Sequence, residues 1–263
     1  MSFAVLFFAT AAHAEPAVLL QSTTSTKNSG LYDHLLEPLK ADTGVRVNVV
    51  AVGTGQAIRN ARNCDGDILL VHSKVDELAF VADGFGVARH DLMYNDFVVV
   101  GPANDPAGVA GAQTATAALI RIRDAKAVFA SRGDASGTHK QEMRLWTAAG
   151  VDPSSASGMW YRETGSGMGA TLNIAAAMGA YVLTDRATWL AFANKADLKI
   201  VVEGDPALFN QYGVVRVSEA KCPNVKAAAA DRVIAWLISE KGQAAIASFK
   251  RQDTQLFYPN AKR

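Results

Sequence analysis

Short apolar runs that alternate with helix-period patterns constrain this chain more than any other feature it carries. Ala17 to Gln21 reads as a strand, and Leu31, Leu35, Leu36 and Leu39 then share one face at helical spacing, with Gly44 placed to end that helix as a C-cap. Val45 to Val52 is a second strand, Gly55 to Asn63 a short helix and Asp67 to Val71 a third strand. A helix over Lys74 to Asp83 and a β-rich stretch through Phe97 to Gly101 follow. This βαβα order predicts a mostly parallel sheet flanked by helices. The run Pro102-Ala103-Asn104-Asp105-Pro106 marks a break.

Beyond the break the alternation resumes. A helix is expected near Gln113 to Ile122, a strand at Ala127 to Ala130 and a helix from Gly137 to Ala149. Further strand–helix units centre on Trp160, Tyr181 and Val201, and a strand at Gly213 to Val217 leads into a helical region from about Asn224 to Phe249. The expected architecture is α/β with two lobes, each a mostly parallel sheet with helices on its faces. The first lobe is discontinuous, residues 15–97 with 214–263, and the second spans 98–213.

Composition removes several function classes. With 26 basic against 25 acidic side chains the net charge is +1, so the chain has neither the basic excess nor the basic tail of a nucleic-acid or membrane-surface binder. The opening MSFAVLFFATAAHA is an apolar run closed by Ala12-His13-Ala14, the form of a secretory leader over residues 1–14 with cleavage after Ala14, although it lacks a basic start. No cysteine lies near that point to carry a lipid anchor. The two cysteines, Cys64 and Cys222, fit a disulfide in an oxidising compartment, or two buried thiols.

Four polar, glycine-containing segments each follow a predicted strand and precede a predicted helix: Gln21 to Gly30, Val52 to Ala57, Ser131 to His139 and Glu163 to Thr171. Ligands of open α/β sheets bind beyond the carboxyl ends of the strands, where all four belong. Hydroxyls, closely approaching backbone N–H groups and helix N-termini together suit an anion. One such segment alone would be an ordinary N-cap. Four of them, one with the run Ser22-Thr23-Thr24-Ser25-Thr26, point to a ligand held between two lobes. Hydrogen bonds to a charged group contribute roughly 1.5–3 kcal/mol each. Roughly seven donors plus Arg132 thus supply the 12 kcal/mol or so of nanomolar binding.

Arg132 is the charged donor expected to face the anion, its competing role being an ion pair with Asp134. Arg162 and Arg186 are weaker candidates, expected to pair with neighbours such as Glu163 and Asp185. No phosphate-binding Gly-x-x-x-x-Gly-Lys-Ser/Thr loop, His-Glu-x-x-His pair or Gly-x-Ser-x-Gly elbow is present, and the histidines show no metal-ligand spacing. Neither a catalytic residue nor a cofactor is expected.

On these segments the sequence resembles the periplasmic tungstate-binding proteins, the substrate-binding components of ATP-driven importers. The resemblance runs through Ser22 to Thr26 with Ser29-Gly30-Leu31, through Val52 to Ala57, Leu69 to His72, Tyr94 to Phe97 and Ser131 to His139, then Gly167 to Leu172 and Leu183 to Trp189. Ser22 stands where that family usually has Thr and keeps the hydroxyl. The resemblance implies a two-lobed periplasmic-binding-protein fold of type II closing over tungstate or molybdate. It implies ligand contacts from Thr23, Thr24, Ser25, Thr54, Gly55, Arg132, Ser136, Gly137, Thr138, Ser166, Gly167 and Met168. It also implies a periplasmic, monomeric protein that serves a membrane permease and its ATPase. The alternatives are a sulfate or phosphate receptor on the same fold, or an enzyme such as a transferase using His139 and Asp134. Asp134 discriminates the first of these, because a carboxylate turned into the cleft would accept a proton from phosphate.

Overall fold

A computed structural model describes residues 16–134, 136–251 and 253–262, so the expected leader at 1–14 lies outside the described residues. The first elements are β1 (Ala17–Thr23), α1 (Thr24–Ser29), α2 (Leu31–Thr43), β2 (Arg46–Val52), α3 (Thr54–Arg62), β3 (Ile68–Val71) and α4 (Lys74–Ala82). The 17-residue strand β4 (Gly86–Pro102) follows. After it come α5 (Ala115–Ala125), β5 (Phe129–Ser131), α6 (Gly137–Ala148), β6 (Tyr161–Glu163), α7 (Met168–Met178), β7 (Val182–Asp185), α8 (Arg186–Ala191) and β8 (Leu198–Val202). The chain closes with β9 (Phe209–Val217), α9 (Ala227–Ile238), α10 (Glu240–Ser248) and the two-residue strands β10 (Lys250–Arg251), β11 (Thr254–Gln255) and β12 (Tyr258–Pro259).

Local chemistry accounts for the early elements. Leu31, Leu35 and Leu39 of α2 are buried at i, i+4 and i+8. Gly44 ends the helix with φ 66° and returns its N–H to Lys40 O, as the sequence predicts. All four residues of β3 are buried, as befits a strand covered on both faces. The expected C-terminal helical region is interrupted at Ser239, whose Oγ accepts from Gly242 N and restarts the chain as α10.

The main sheet runs β12-β4-β9-β3-β1-β2, with β7 and β8 also paired to β4. It is mixed rather than mostly parallel. β1 pairs in parallel with β2 and β3, and β5 with β6, whereas β4 runs antiparallel to β7, β8, β9 and β12, and β9 antiparallel to β3. The reason is directional: a strand leaving one lobe and a strand returning to it must run in opposite senses. β4 is the outgoing strand. Its Gly86–Asp96 part pairs with β9, and Phe97–Pro102 pairs with β7 and β8.

Separate apolar cores lie on either side of this crossing. One joins α2, α9 and α10 to β1 and β2 through Leu20, Leu35, Val47, Val233 and Ile246; others beyond the crossing gather Phe129, Trp146 and Tyr161, or Val98, Leu172 and Val182. Two links tie the early strands to the segment that follows β9. Asp67 accepts from Leu19 N (2.7 Å) and from Lys226 N (2.8 Å), and Cys64 is disulfide-bonded to Cys222.

That bridge spans 158 residues of sequence, and closing so long a loop removes up to about 5 kcal/mol of unfolded-chain entropy. Cys64→Ser and Cys222→Ser are each expected to lose about 2–5 kcal/mol in denaturant unfolding, and reductant should do the same to the parent chain. A loss under about 0.5 kcal/mol would contradict this.

Candidate anion-binding cleft

The strand ends deliver the four predicted segments to helix N-termini. Thr23 caps α1, Gly53 precedes α3, Ser136 caps α6 and Gly167 precedes α7. Three of the segments meet between the lobes. Gly137 N donates to Thr54 Oγ1 at 3.1 Å, and Ser25 Oγ lies 3.4 Å from His72 Nε2. A Cβ on Gly137 would come within 2.7 Å of His72 Cε1 and 2.9 Å of Thr54 Oγ1, so only glycine lets the α6 backbone approach this closely.

Arg132 is 4% exposed and reaches Asp134 Oδ2 through Nη2 at 2.6 Å, while its Nε is buried without a partner. Asp134 Oδ1 accepts from Ser136 N at 3.1 Å, so this carboxylate serves the guanidinium and the α6 N-terminus together. Thr138 Oγ1 is the other partnerless buried atom of the segment. Buried donors that lack partners cost free energy until something accepts from them. An acceptor entering the cleft would relieve that cost.

Several predicted residues have other duties. Thr23 Oγ1 caps α1 and bonds Thr26 Oγ1 (2.7 Å) and Ser25 Oγ (3.1 Å), and Ser136 Oγ accepts from His139 N at 3.1 Å. Ser22 faces the core, its Oγ bonded to Leu70 O and Tyr32 Oη. Gly55 is buried in the first turn of α3 and can offer only backbone. Thr24, the first residue of α1, is half-buried. The Ser166–Met168 turn lies beside the Arg132 segment through Thr164 N to Ser131 O (2.9 Å), but Ser166 Oγ donates to Thr164 O and Met168 packs in the core. Arg186 pairs with Asp96 and Glu203 rather than with Asp185, which instead caps α8 through Thr188.

His72 sits among these groups although its position carried no ligand motif in the sequence. The available signal was its place at the carboxyl end of buried β3, the same position that singled out the four segments. Its Nδ1 is 3.0 Å from the Asn210 amide, which is 2.7 Å from Asn95, and Tyr212 lies against the ring. Burial, aided by the Arg132 charge and opposed by the Asn210 bond, pushes the imidazole down to about 4, so it is neutral at pH 7. A cavity of about 370 Å³ bordered by His72, Ser73, Lys74, Arg144 and Asn210 opens alongside.

Two α/β lobes joined by antiparallel crossing strands, with helix N-termini facing each other between them, define a periplasmic-binding-protein fold. Residues 10–241 match the PBP superfamily domain, and the chain belongs to that superfamily. Among curated relatives, the tungstate-binding protein TupA of Peptoclostridium acidaminophilum is 45% identical over 252 residues, covering 94% of this chain and 87% of that protein. TupA of Campylobacter jejuni is 38% identical across 90% of this chain and 89% of that one. The solved structure of TupA from Desulfovibrio alaskensis superposes with a TM-score of 0.82 at 48% identity, covering 94% of this chain and all of the other.

The His72 shift has a consequence for stability. Between pH 6.5 and about 4 the unfolded chain takes up a proton on this residue that the folded chain refuses, so stability falls as pH drops through that window. Between pH 7 and 4.5 the parent chain should lose about 2–3 kcal/mol more than His72→Gln in denaturant unfolding. Equal losses would contradict the shift.

Proposed function

We propose that this chain is the solute-binding component of an ATP-driven importer and captures a tetrahedral oxyanion, tungstate or molybdate, without turnover. The observation that carries this reading is the pair of buried, partnerless donors, Arg132 Nε and Thr138 Oγ1, on a segment that bridges the lobes at Thr54. The names of the TupA relatives supply the ligand. The proposed ligand set keeps Thr23, Thr24, Ser25, Thr54, Gly55, Arg132, Ser136, Gly137, Thr138 and the Ser166–Met168 turn. Within it, free side-chain donors come from Arg132 and Thr138, and backbone N–H groups from the first turns of α3, α6 and α7.

Asp134 bears on the alternatives. Its two oxygens each already accept a hydrogen bond, from Arg132 and from Ser136 N, which supports a structural role for it over one of accepting from monoprotonated phosphate. His139 is likewise engaged, with Nδ1 3.2 Å from Ser131 Oγ and 3.9 Å from the Glu142 carboxylate. That leaves the suggested acid–base pair on structural duty and favours binding over catalysis. The lobes are taken as 15–97 with 214–263, and 98–213, hinged on β4 and on the approach to β9. The protein is proposed to act as a periplasmic monomer, cleaved after Ala14, that delivers its anion to a permease with a separate ATPase.

Calorimetric titration with tungstate, molybdate, sulfate and phosphate tests this. Tight one-to-one binding of the first two is expected, with sulfate and phosphate far weaker. Arg132→Ala should weaken tungstate binding about 10- to 100-fold. No heat with any of the four would overturn the reading.

Lobe closure gives a second test. The Gly137→Ala methyl collides with His72 and Thr54, whereas a Gly53→Ala methyl meets only Ser136 Cα at 3.9 Å. Gly137→Ala should therefore weaken tungstate binding at least about tenfold, the equivalent of one lost hydrogen bond, and Gly53→Ala much less. The reverse order would contradict closure through this contact.

A further inference from the structure

Helices α4 and α6 belong to different cores. Leu145 and Trp146 of α6 pack with Phe129 and Tyr161, whereas Phe80 of α4 packs with Val71 and Val215. Among the described residues no apolar cluster takes side chains from both helices. Where they approach, a cavity of about 370 Å³ opens between Ser73 and Lys74 on one side and Gln141 and Arg144 on the other. What joins the helices is polar. Lys140 Nζ donates to Asp76 Oδ2 at 2.6 Å, and Arg144 Nη2 reaches Ser73 Oγ at 3.4 Å.

Each half of this contact is set from within its own lobe. On the α4 side, Ser73 Oγ donates to Asp76 Oδ2 at 2.6 Å and Ser73 N donates to Glu77 Oε1 at 2.7 Å, while the buried Glu77 is paired with Arg89. On the α6 side, Lys140 lies one turn beyond Ser136 and returns its N–H to Ser136 O, on the helix that carries Gly137 and Thr138. A shift of α6 against α4 therefore moves the cleft donors and the Lys140 ammonium together. The opposite lip differs. Where α1 meets α8, no hydrogen bond or ion pair joins the two helices among the described residues. The other ion pair that links the lobes among those residues, Arg186 with Asp96, sits at the crossing strands, where hinge motion displaces it least.

The side chains of Lys140 and Asp76 are 31% and 30% exposed, so water and salt reach the pair. A pair of that kind changes an equilibrium about two- to fivefold. This is small beside the affinity of a tight ligand. It acts only when the lobes meet, so it biases closure without replacing the anion.

We propose that Lys140 and Asp76 are positioning residues of the anion site, their ion pair latching α6 onto α4 in the closed form and so slowing release of the bound oxyanion. This rests on the ligand reading above and on lobes that open and close. Because the latch forms after the anion has entered, its effect falls on the dissociation rate. Because it is partly exposed, it gives the affinity a salt-dependent part that no contact with the ligand supplies.

Stopped-flow dissociation of tungstate from the full chain, with calorimetry for the affinity, tests the latch. Lys140→Met and Asp76→Asn should each speed release and weaken binding about two- to fivefold, and the double variant no more than either alone. Lys140→Arg, which keeps the charge, should restore most of the parent's residence time. In about 0.5 M sodium chloride the gap between the parent and Lys140→Met should shrink. Release from Lys140→Met at the parent's rate overturns the proposal, as do additive losses or a gap that ignores salt. Ligand-free unfolding midpoints of Lys140→Met and the parent should coincide, since the pair ties two lobes and braces neither core. A lowered midpoint with unchanged release makes the contact merely structural. Should the parent bind no tungstate, the ligand reading fails; a parent that binds alongside variants that behave identically sinks the latch alone.

Discussion

Burying a guanidinium with one N–H unpaired costs free energy unless a partner arrives, and the cleft is arranged around that requirement at Arg132. The backbone on either side of the residue is fixed. Ser131 Oγ accepts from Gly133 N and donates to the buried Glu142 carboxylate, which also accepts from the Tyr161 hydroxyl, itself 2.9 Å from Ser131 Oγ, and from the Trp146 indole. Asp134 takes one end of the guanidinium and caps the α6 backbone with its second oxygen. These contacts orient Arg132 and leave Nε over. A site preorganised in this way need not spend ligand energy on ordering its strongest donor.

The same helix that carries Ser136 to Thr138 also grips the opposite lobe. Lys140 and Arg144, four residues apart, fall on one face of α6 and reach Asp76 (2.6 Å) and Ser73 (3.4 Å) at the start of α4. Its N-terminal turn meets Thr54. One rigid helix therefore couples donor placement to lobe contact over its whole length. On the facing side, Asp67 and the Cys64–Cys222 bridge tie the early strands to the segment that follows β9.

How much of this was legible in the sequence depended on distance along the chain. The α2 face and the Gly44 cap are local, as are the strand–helix junctions that became helix N-termini at Thr54, Gly137 and Met168, and all of them could be read. Ser22 belongs by sequence to the hydroxyl run, yet the strand continues through it and turns its side chain to Tyr32 and Leu70. The antiparallel partnering of β4 is non-local, so the mixed sheet could not be inferred from a βαβα order. The Asn95–Asn210 pair exists only through the β4–β9 register. The orientation of Asp134 and the pairing of Cys64 with Cys222 are three-dimensional facts that composition and spacing left open.

The electrostatics explain how a chain of net charge +1 can hold an anion. Arg132 and Asp134 nearly cancel, and His72 is neutral. What remains facing the cleft is a set of oriented dipoles: hydroxyls and the N–H groups of helix first turns. Dipoles fall off faster with distance than charges do, so such a site attracts little from afar but grips strongly at contact, where closure has excluded water and lowered the local dielectric. Screening by salt acts mainly on exposed charges separated by more than about 8–10 Å, and the contacts here are shorter and enclosed. Selectivity then falls to the direction of each hydrogen bond rather than to net charge. Consistent with this, the Asp134 carboxylate and the His72 imidazole are both engaged by protein partners.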